Sequence, residues 1–282
     1  MEPKRSKKTR GPRFWLEVFQ KVGKRTQKES QVLWGTAEAK RELGCGAGGD
    51  KTVEIDRRIE DILIDEVKRA GNVRLLSEES GILEFGDPEV TIIADPLDGS
   101  FNAKMGIPVF TISLALVEHP ATMGNITVGY VKNLLNGEEY IAIKGKGATI
   151  DGKPLKPSDR TDISVMAMEC HPNTVLALRQ SLAVVENDTR LRSLGCVSMD
   201  LCLVSRGVFD TIIDVRNRRS RIIDIAAGYR LVMEAGGMMT DENEGTLENV
   251  AVEMSTRINF VASGNLVVHK KILRMLKEQG YA

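Results

Sequence analysis

The sequence contains little of what nucleic-acid-binding and zinc-binding proteins depend on. Only 5% of its 282 residues are aromatic, and its 39 basic side chains are balanced by 39 acidic ones. It therefore has neither a base-stacking platform nor a basic excess, and we expect no nucleic-acid partner for the folded part of the chain. Its 3 histidines and 4 cysteines include no CxxC pair, which argues against a zinc knuckle or ribbon.

Long apolar runs are absent as well. No stretch approaches the roughly 20 residues that a membrane-spanning helix needs, and no signal peptide is visible, so we expect no membrane partner. Residues 1–12 are basic and are expected to form a disordered tail, for which a role in tethering nucleic acid stays open. Cys45, Cys170, Cys196 and Cys202 are expected to stay reduced, which is typical of a cytoplasmic protein.

Hydrophobic periodicity predicts an α/β protein. Apolar side chains at helical spacing indicate helices over residues 14–34 and 53–69, and a glycine-rich loop at 44–49 between them is interpreted as a mobile flap. Short β-rich runs follow without helical crossovers, which favours an antiparallel sheet in this half of the chain. These strands are predicted at residues 73–76, 91–94, 109–117, 127–132 and 138–143.

The second half of the chain alternates between helical and strand periodicity. Helices are predicted over residues 172–185, 201–205, 224–234 and 269–279, and strands over 208–215, 222–223 and 259–263. Glycine, proline and lysine cluster at 152–157, which indicates a boundary between an N-terminal α+β subdomain (13–152) and a C-terminal α/β subdomain (153–282). We expect the second subdomain to complete a site that begins in the first.

The sharpest local pattern is the hexapeptide DPLDGS, which directly follows a β-rich run. Pro96 fixes the turn, and Gly99 allows the backbone to approach a ligand closely. Such a turn can point Asp95, Asp98 and the carbonyl oxygen of Leu97 at one spot, where hard oxygen ligands suit Mg²⁺ or Mn²⁺ rather than zinc. The alternative is an ordinary surface turn, because aspartate, proline and glycine are common turn residues.

Two weaker patterns accompany this hexapeptide. SEES at residues 77–80 places two adjacent acids in a loop, and IIDIAAG at 222–228 places Asp224 between β-rich residues and a small-residue helix. Taken alone, the first pattern is typical of solvated loop acids and the second of a helix N-cap. If a helical turn begins at Ser100, the amides of Gly99 and Ser100 point at the same spot and can bind phosphate.

In this order and at these separations, the patterns resemble the inositol monophosphatase/fructose-1,6-bisphosphatase superfamily. The resemblance runs through GAGGDKTVEID, SEES, DPLDGSFN, GYVKN…EEYIAIKGKGATIDGKPL and IIDIAAGYRLVMEAGG, which is nearly the whole chain. Its details look most like the archaeal-type members, which often accept several substrates. The resemblance implies a layered α-β-α-β-α sandwich, a homodimer, and Mg²⁺-dependent hydrolysis of a phosphate monoester on a small sugar or polyol, with inositol 1-phosphate and fructose 1,6-bisphosphate as candidates.

The resemblance also implies roles for individual residues. The matching metal ligands all offer an oxygen, and they are Glu78, Asp95, the Leu97 carbonyl, Asp98 and Asp224. Asp56 and Ser100 match the acid–hydroxyl pair that helps to activate a water molecule, and together with Glu78 they form the predicted catalytic set. Serine stands where the family usually has threonine, and it keeps the hydroxyl but loses the methyl group that restricts the rotamer. Glu79 is expected to support its loop.

Charge arithmetic favours metal ions independently. Four ligand carboxylates and a dianionic phosphate total about −6, and two unit charges about 4 Å apart interact by roughly 4 kcal/mol at an effective dielectric near 20. Two or three divalent cations remove that repulsion. We expect two tightly bound Mg²⁺ ions, for which Mn²⁺ can substitute, and a weaker third ion assisted by Asp50 on the flap.

The predicted phosphate contacts are Asp98, Gly99 and Ser100. Gly195 and Ser198 match family positions that line the pocket for the alcohol part of the substrate. Inositol-selective members have a glutamate and a tryptophan nearby, whereas this chain has isoleucine in place of the tryptophan, which speaks against strict inositol selectivity.

A run of four arginines precedes Asp224, and within it Arg216 and Arg218 are candidates for clamping a second phosphate, since guanidinium groups bind phosphate bidentately. The alternative is a solvated basic turn. Two other functions stay open: a phosphatase for nucleotides such as NADP or 3′-phosphoadenosine 5′-phosphate, and a non-catalytic metal- and phosphate-binding scaffold.

Overall fold

The computed structural model describes residues 10–47, 51–169, 188–215 and 218–280. The α-helices of these ranges are α1 (Pro12–Leu33), α2 (Glu54–Ala70), α3 (Ser100–Met105), α4 (Val197–Ser205), α5 (Ile222–Ala235) and α6 (Leu266–Glu278). The first ten strands are β1 (Glu42–Cys45), β2 (Lys51–Val53), β3 (Val73–Ser77), β4 (Gly81–Phe85), β5 (Val90–Asp98), β6 (Thr111–Val117), β7 (Ile126–Asn133), β8 (Glu139–Ile143), β9 (Ala148–Ile150) and β10 (Lys153–Pro154). The others are β11 (Val165–Met168), β12 (Arg190–Arg192), β13 (Thr211–Asp214), β14 (Ser220–Arg221), β15 (Met238–Thr240), β16 (Arg257–Ile258) and β17 (Phe260–Ser263).

Helices α1 and α2 pack together, and their apolar stripes confirm the two helices predicted for this part of the chain. Pro12 lies at the start of α1, where its fixed φ suits the first turn and its missing N–H leaves no bond unmade. Helix α2 ends at Gly71, whose φ of 69° lies in the left-handed half of the map that glycine adopts readily. No helix within the described ranges is long and apolar enough to cross a membrane.

The larger sheet has eight strands in the order β10-β9-β8-β7-β6-β5-β3-β4. Its neighbours pair antiparallel except for β3 and β5, which run parallel. The antiparallel prediction is therefore correct for most of this sheet and wrong for that pair. The parallel pair arises because β4, which was not predicted, returns along the outer edge of β3 before the chain crosses to form β5.

The smaller sheet has five strands in the order β12-β11-β13-β17-β15. Strand β11 is parallel to both β12 and β13, whereas β17 is antiparallel to β13 and to β15. Two short antiparallel pairs complete the described strands: β1 with β2, and β14 with β16.

Three clusters of buried apolar side chains fill the spaces between five layers, and one of them covers both faces of the middle layer. Phe19 and Ile92 belong to the cluster between the α1–α2 pair and the larger sheet. Leu201 and Ile225 belong to the cluster that places α4 and α5 between the two sheets. Ile272 belongs to the cluster that packs α6 on the far face of the smaller sheet. The layers pack because this removes apolar surface from water. Their order, helices–sheet–helices–sheet–helix, confirms the predicted α-β-α-β-α layering.

Several boundaries differ from the sequence prediction, and two of them bear on the candidate ligands. Strand β5 continues past Ala94 to Asp98, with an irregularity in its pairing with β6. Residues 222–223 are not a strand end but the first turn of α5, because β14 already ends at Arg221 and the buried layer between the sheets accepts isoleucine in a helix. The helix predicted at 172–185 lies outside the described residues.

Gly129 marks the closest approach between the larger sheet and α5. A methyl group at this position of β7 would lie 2.7 Å from the carbonyl oxygen of Ala227 and 3.0 Å from Cβ of Arg230. We expect Gly129→Ala to lower the free energy of unfolding by about 2 kcal/mol, because backbone atoms cannot move aside without disturbing the layer.

The measurement is the denaturant midpoint, with Gly11→Ala as the control, since a methyl group there meets no atom within 4 Å. Equal midpoints for Gly129→Ala and the wild type would show that the helix and sheet are less tightly packed than described.

Candidate active site

Three carboxylates from different elements meet beside the ends of β3 and β5. Glu78 follows β3, Asp95 lies in β5, and Asp224 lies in the first turn of α5. Each offers one oxygen, and these oxygens lie within 4.8 Å of one another. The parallel pairing of β3 with β5 explains part of this arrangement, because Ser77 is in register with Ala94 and the next residue of each strand is an acid. The structure thus brings three of the predicted metal ligands together.

Asp98 is held in place by two hydrogen bonds from Ser198. The Ser198 backbone N–H donates to Asp98 Oδ2 at 2.7 Å, and the Ser198 hydroxyl donates to the same oxygen at 2.5 Å. The Ser198 side chain is fully buried, and its oxygen also lies 2.6 Å from the Thr111 hydroxyl. Ser198 therefore supports an acid of the site, and its predicted place in the pocket for the alcohol stays a prediction.

The turn between Asp95 and Asp98 is stabilised from within. The Leu97 backbone N–H donates to Asp95 Oδ1 at 3.0 Å, and the Leu97 side chain is buried. Gly99 follows with a φ of 84°, and a methyl group there would lie 2.9 Å from the Val109 carbonyl oxygen. Glycine is therefore required at this position for both conformation and space.

Arg221 lies among the acids. Its Nη2 is 2.5 Å from Glu78 Oε1, and its Nε is 3.2 Å from Asp224 Oδ1. Arg221 is also the N-cap residue of α5, so the reading of Asp224 as the N-cap is wrong and its carboxylate turns toward the cluster. A guanidinium group in this position offsets part of the repulsion between carboxylates that come from two different elements.

Burial raises the pKa values of these carboxyl groups, because a charged carboxylate is poorly solvated there. It raises the pKa of Glu78 to about 7, against the attraction of Arg221. Burial also raises the pKa of Asp98 to about 6 and that of Asp95 well above its usual range, with repulsion from neighbouring acids adding to the effect on Asp95. Such groups favour a divalent cation, because coordination replaces the protons that they would otherwise hold.

Asp56 lies in the first turn of α2 and interacts electrostatically with Glu79 and Lys104, which line the pocket, although Asp56 itself is not among the lining residues. Its Oδ2 accepts a hydrogen bond from the Val53 backbone N–H at 2.9 Å, and its buried Oδ1 has no hydrogen-bond partner among the described residues. Burial raises the pKa of Asp56 to about 6. Ser100 opens α3 and lines the pocket, but no hydrogen bond joins it to Asp56 in the described part of the chain, so their pairing stays a prediction.

Glu79 connects the site to the β1–β2 hairpin. Its carbonyl oxygen accepts from the Ala47 backbone N–H at 2.8 Å, and its carboxylate accepts from the Thr52 hydroxyl. A methyl group at Gly46 would lie 2.3 Å from Glu79 Oε2, so the hairpin approaches this acid closely. These contacts agree with the predicted supporting role of Glu79, whereas Asp50 lies outside the described residues.

A pocket of about 270 Å³ opens over the acid cluster. It is lined by acids, by the turn after β5 and by three basic side chains, namely Lys51, Glu78, Glu79, Asp95, Leu97, Asp98, Gly99, Ser100, Lys104 and Arg221. The sequence analysis did not identify Lys51 or Lys104 as part of the site, and it considered Arg221 only as one of the four arginines that precede Asp224. The available signal was the spacing of Lys104, which stands four residues after Ser100 and so shares its face of α3.

The other predicted substrate contacts are not among the residues that line this pocket, although the Gly195 carbonyl oxygen would lie 3.3 Å from a methyl group placed at Gly99, which does line it. Gly195 is exposed with a φ of 64°, and the Asn102 side chain donates to the carbonyl oxygen of the preceding residue, Leu194, at 2.7 Å. Arg218 is exposed, and its backbone N–H donates to Asn259 Oδ1 at 2.5 Å. Arg216 lies outside the described residues, so the predicted arginine clamp stays a prediction.

Comparison with known proteins identifies the family to which this chain belongs. A sequence model of the inositol monophosphatase family matches residues 15–280. The chain belongs to the inositol monophosphatase family.

Relatives of this inositol monophosphatase family member carry several names. The fructose-1,6-bisphosphatase/inositol-1-monophosphatase of Methanothermobacter thermautotrophicus is 33% identical, and the match covers 94% of this chain and 97% of the relative. The bifunctional NADP phosphatase/NAD kinase of Methanococcus maripaludis is 29% identical, with 92% of this chain and 48% of the relative covered. The crystal structure of the MJ0109 gene product, titled inositol monophosphatase-fructose 1,6 bisphosphatase, has a TM-score of 0.80 at 28% identity and covers 93% of this chain and 99% of that one.

The inositol monophosphatase family is metal-dependent, and the side chains at this site fit a divalent cation. Glu78, Asp95 and Asp224 supply converging hard oxygen donors, and the raised pKa of Asp95 indicates a carboxylate that lacks a sufficient counter-charge. Asp98 and the Leu97 carbonyl lie on the same turn and would extend the ligand set. The described cluster contains no cysteine or histidine, which sets it apart from a zinc site.

We expect Mg²⁺ to raise the thermal unfolding midpoint above that in EDTA by on the order of 5 °C at mildly alkaline pH, because a cation bound only by the folded chain stabilises it. Asp95→Asn should remove most of this increase. The measurement is differential scanning calorimetry, with Asp61→Asn as the control, since Asp61 is 60% exposed on α2. A wild-type midpoint that does not respond to Mg²⁺ would contradict the assignment of the cluster as a cation site.

Proposed function

We propose that this chain is a Mg²⁺-dependent phosphoric monoester hydrolase that acts on small sugar and polyol phosphates, with inositol 1-phosphate and fructose 1,6-bisphosphate as the leading substrates. The observation that carries the proposal is the convergence of Glu78, Asp95 and Asp224, whose carboxylate oxygens lie within 4.8 Å of one another. Family membership over residues 15–280 supports the same reaction class. Relatives named for both esters support the choice of substrates.

In the proposed hydrolysis, the cation and the side chains of the chain have different tasks. Divalent cations bound by the carboxylates would lower the pKa of a water molecule and neutralise charge on the ester. Asp56 orients that water through its otherwise unpartnered Oδ1 and takes up its proton. With a pKa of about 6, Asp56 is mostly ionised at neutral pH and is therefore able to act as a base. The hydroxyl of Ser100 is the proposed partner of Asp56 in orienting the water.

Two other functions compete with this proposal. Relatives named bifunctional NADP phosphatase/NAD kinase favour a nucleotide phosphatase as the second candidate, in which the same pocket would accept a phosphate on a ribose. A non-catalytic scaffold would bind cation and phosphate without turnover. The set of acids argues against the scaffold, because a binding protein has no need for a buried base such as Asp56, which interacts electrostatically with Glu79 and Lys104 of the pocket lining.

The experiment that tests the proposal is a substrate panel with Mg²⁺ and with EDTA, read as phosphate release. We expect turnover of inositol 1-phosphate and fructose 1,6-bisphosphate to exceed that of p-nitrophenyl phosphate and NADP, and to vanish in EDTA. Asp95→Asn should lower kcat by at least about a thousandfold, because it removes a charge that holds the cation and hence the developing negative charge. Asp61→Asn is the matched acid-to-amide control.

The panel separates the alternatives directly. Preferred turnover of NADP would favour the nucleotide phosphatase, whereas phosphate binding without turnover of any ester would favour the scaffold. Unchanged turnover in Asp95→Asn would contradict the site assignment itself.

We also propose that the protein works as a homodimer in the cytoplasm. Phe101, Met105 and Ile107 are exposed apolar side chains on α3 and the loop after it, and such a patch supports contact with a second copy. Cys196 and Cys202 are free and buried, which agrees with a compartment that keeps thiols reduced.

We expect Met105→Glu to convert a dimer into a monomer, because a charge placed in an apolar interface loses its hydration without gaining a partner. Light scattering coupled to size-exclusion chromatography measures the mass. Val267→Glu is the control, since Val267 is 56% exposed on α6, which packs on the far face of the smaller sheet. A wild-type mass of one chain would refute the dimer, and dissociation by Val267→Glu alone would move the interface elsewhere.

A further inference from the structure

Lys104 differs from the other two basic side chains of the pocket in having no committed partner. Arg221 is ion-paired with Glu78, and Lys51 Nζ lies 2.9 Å from Glu42 Oε1. Within the described ranges, Lys104 makes neither a hydrogen bond nor an ion pair, although it lines the same pocket and is only partly exposed. An ammonium group in this position has lost part of its water without gaining a hydrogen-bonded anion.

The backbone that carries Lys104 is firmly held. Asn102, in the middle turn of α3, donates from its side chain to the carbonyl oxygen of Val109 at 2.8 Å and to that of Leu194 at 2.7 Å. These bonds join the short helix to the loop that follows it and to the loop that precedes α4. Lys104 lies four residues after Ser100, so both side chains project from one face of α3 into the pocket. Only the Lys104 side chain itself has to move in order to meet a ligand.

The ammonium group also acts on the proposed base. Attraction by Lys104 opposes the burial that raises the pKa of Asp56, and repulsion from Glu79 and Glu60 adds to the effect of burial. The positive charge of Lys104 therefore reaches the part of the pocket in which the water and the phosphate would meet. Lysine is a compact point charge that contacts a phosphate oxygen well without the geometric demands of a guanidinium group.

We propose that Lys104 is a substrate-binding residue whose ammonium group contacts a non-bridging oxygen of the substrate phosphate. The inference rests on the proposed function, because it assigns a contact to the phosphate that the pocket is proposed to bind. It adds a cation supplied by α3 to the cations held by the carboxylates, and it makes the affinity for phosphate depend on a residue outside the acid motifs. Lys104 transfers no proton in this scheme.

The test measures the binding of inorganic phosphate by isothermal titration calorimetry at saturating Mg²⁺, for the wild type, Lys104→Met and Lys104→Arg. We expect Lys104→Met to weaken phosphate binding about tenfold, equivalent to about 1.4 kcal/mol, and Lys104→Arg to stay within about threefold of the wild type. In parallel kinetics, KM for the preferred ester should rise with the phosphate Kd while kcat falls less. Lys277→Met is the matched control, because Lys277 is exposed in the last turn of α6.

Several outcomes would overturn the proposal. Phosphate binding by Lys104→Met within about twofold of the wild type excludes the contact. A shifted acid limb of the pH profile with unchanged phosphate affinity would mean that Lys104 acts only through Asp56. Equal loss of binding in Lys104→Met and Lys104→Arg would show that positive charge is not what matters, and thermal midpoints measured alongside would reveal whether the helix is damaged.

Failure of the proposed function gives a different result from failure of this contact. A wild-type protein that releases no phosphate from any ester refutes the hydrolase, while the calorimetric titration still decides the role of Lys104. A wild-type protein that binds no phosphate at all refutes both.

Discussion

The repulsion between carboxylates that share a confined space is the constraint on which this site depends. Glu78, Asp95 and Asp224 lie close enough for their oxygens to share one ion, and burial denies them the water that would screen their charges. The fold keeps them there with contacts made elsewhere: the register of β3 with β5, the turn through Leu97, and the packing of α5 between the sheets. The positive charge of Arg221 relieves the repulsion only in part, which is why the cluster favours a divalent cation.

The same electrostatic logic explains the order within the pocket. The residues that line it include Glu78 and Asp95 of the cluster together with the basic side chains of Lys51, Lys104 and Arg221. A phosphate ester is attracted to such a site only when the acids are neutralised, because the unpaired carboxylates would otherwise repel it. Cation binding and ester binding are therefore coupled, and each reinforces the other through charge.

Much of the fold was readable from the sequence, because long amphipathic helices and buried β-rich runs leave strong periodic signals. The two N-terminal helices and the layer order follow from such patterns. The sequence did not predict the parallel pairing of β3 with β5, since that depends on β4 occupying the other edge of β3. It also placed residues 222–223 in a strand, because isoleucine favours strands unless a buried helix surface accepts it.

The acid motifs were predictable for a different reason: the chemistry of metal and phosphate restricts which residue types can stand together. The roles of Ser198, Lys104 and Arg221 were not. Ser198 reaches Asp98 only because α4 packs behind β5, and Arg221 reaches Glu78 only because β14 ends beside β3. Such contacts join residues a hundred or more positions apart, and no local pattern in one sequence encodes them.

The packing of α4 and α5 between the two sheets has a consequence for how the molecule is assembled. Glu78 and Asp95 come from the first half of the chain, whereas Asp224 and the serine that supports Asp98 come from the second. Neither half carries a whole ligand set, so the ability to capture an ion arises only when both halves have docked. Ion capture thus reports on docking of the larger sheet with the helical layer between the sheets, and a cation that binds there would tie these two layers together.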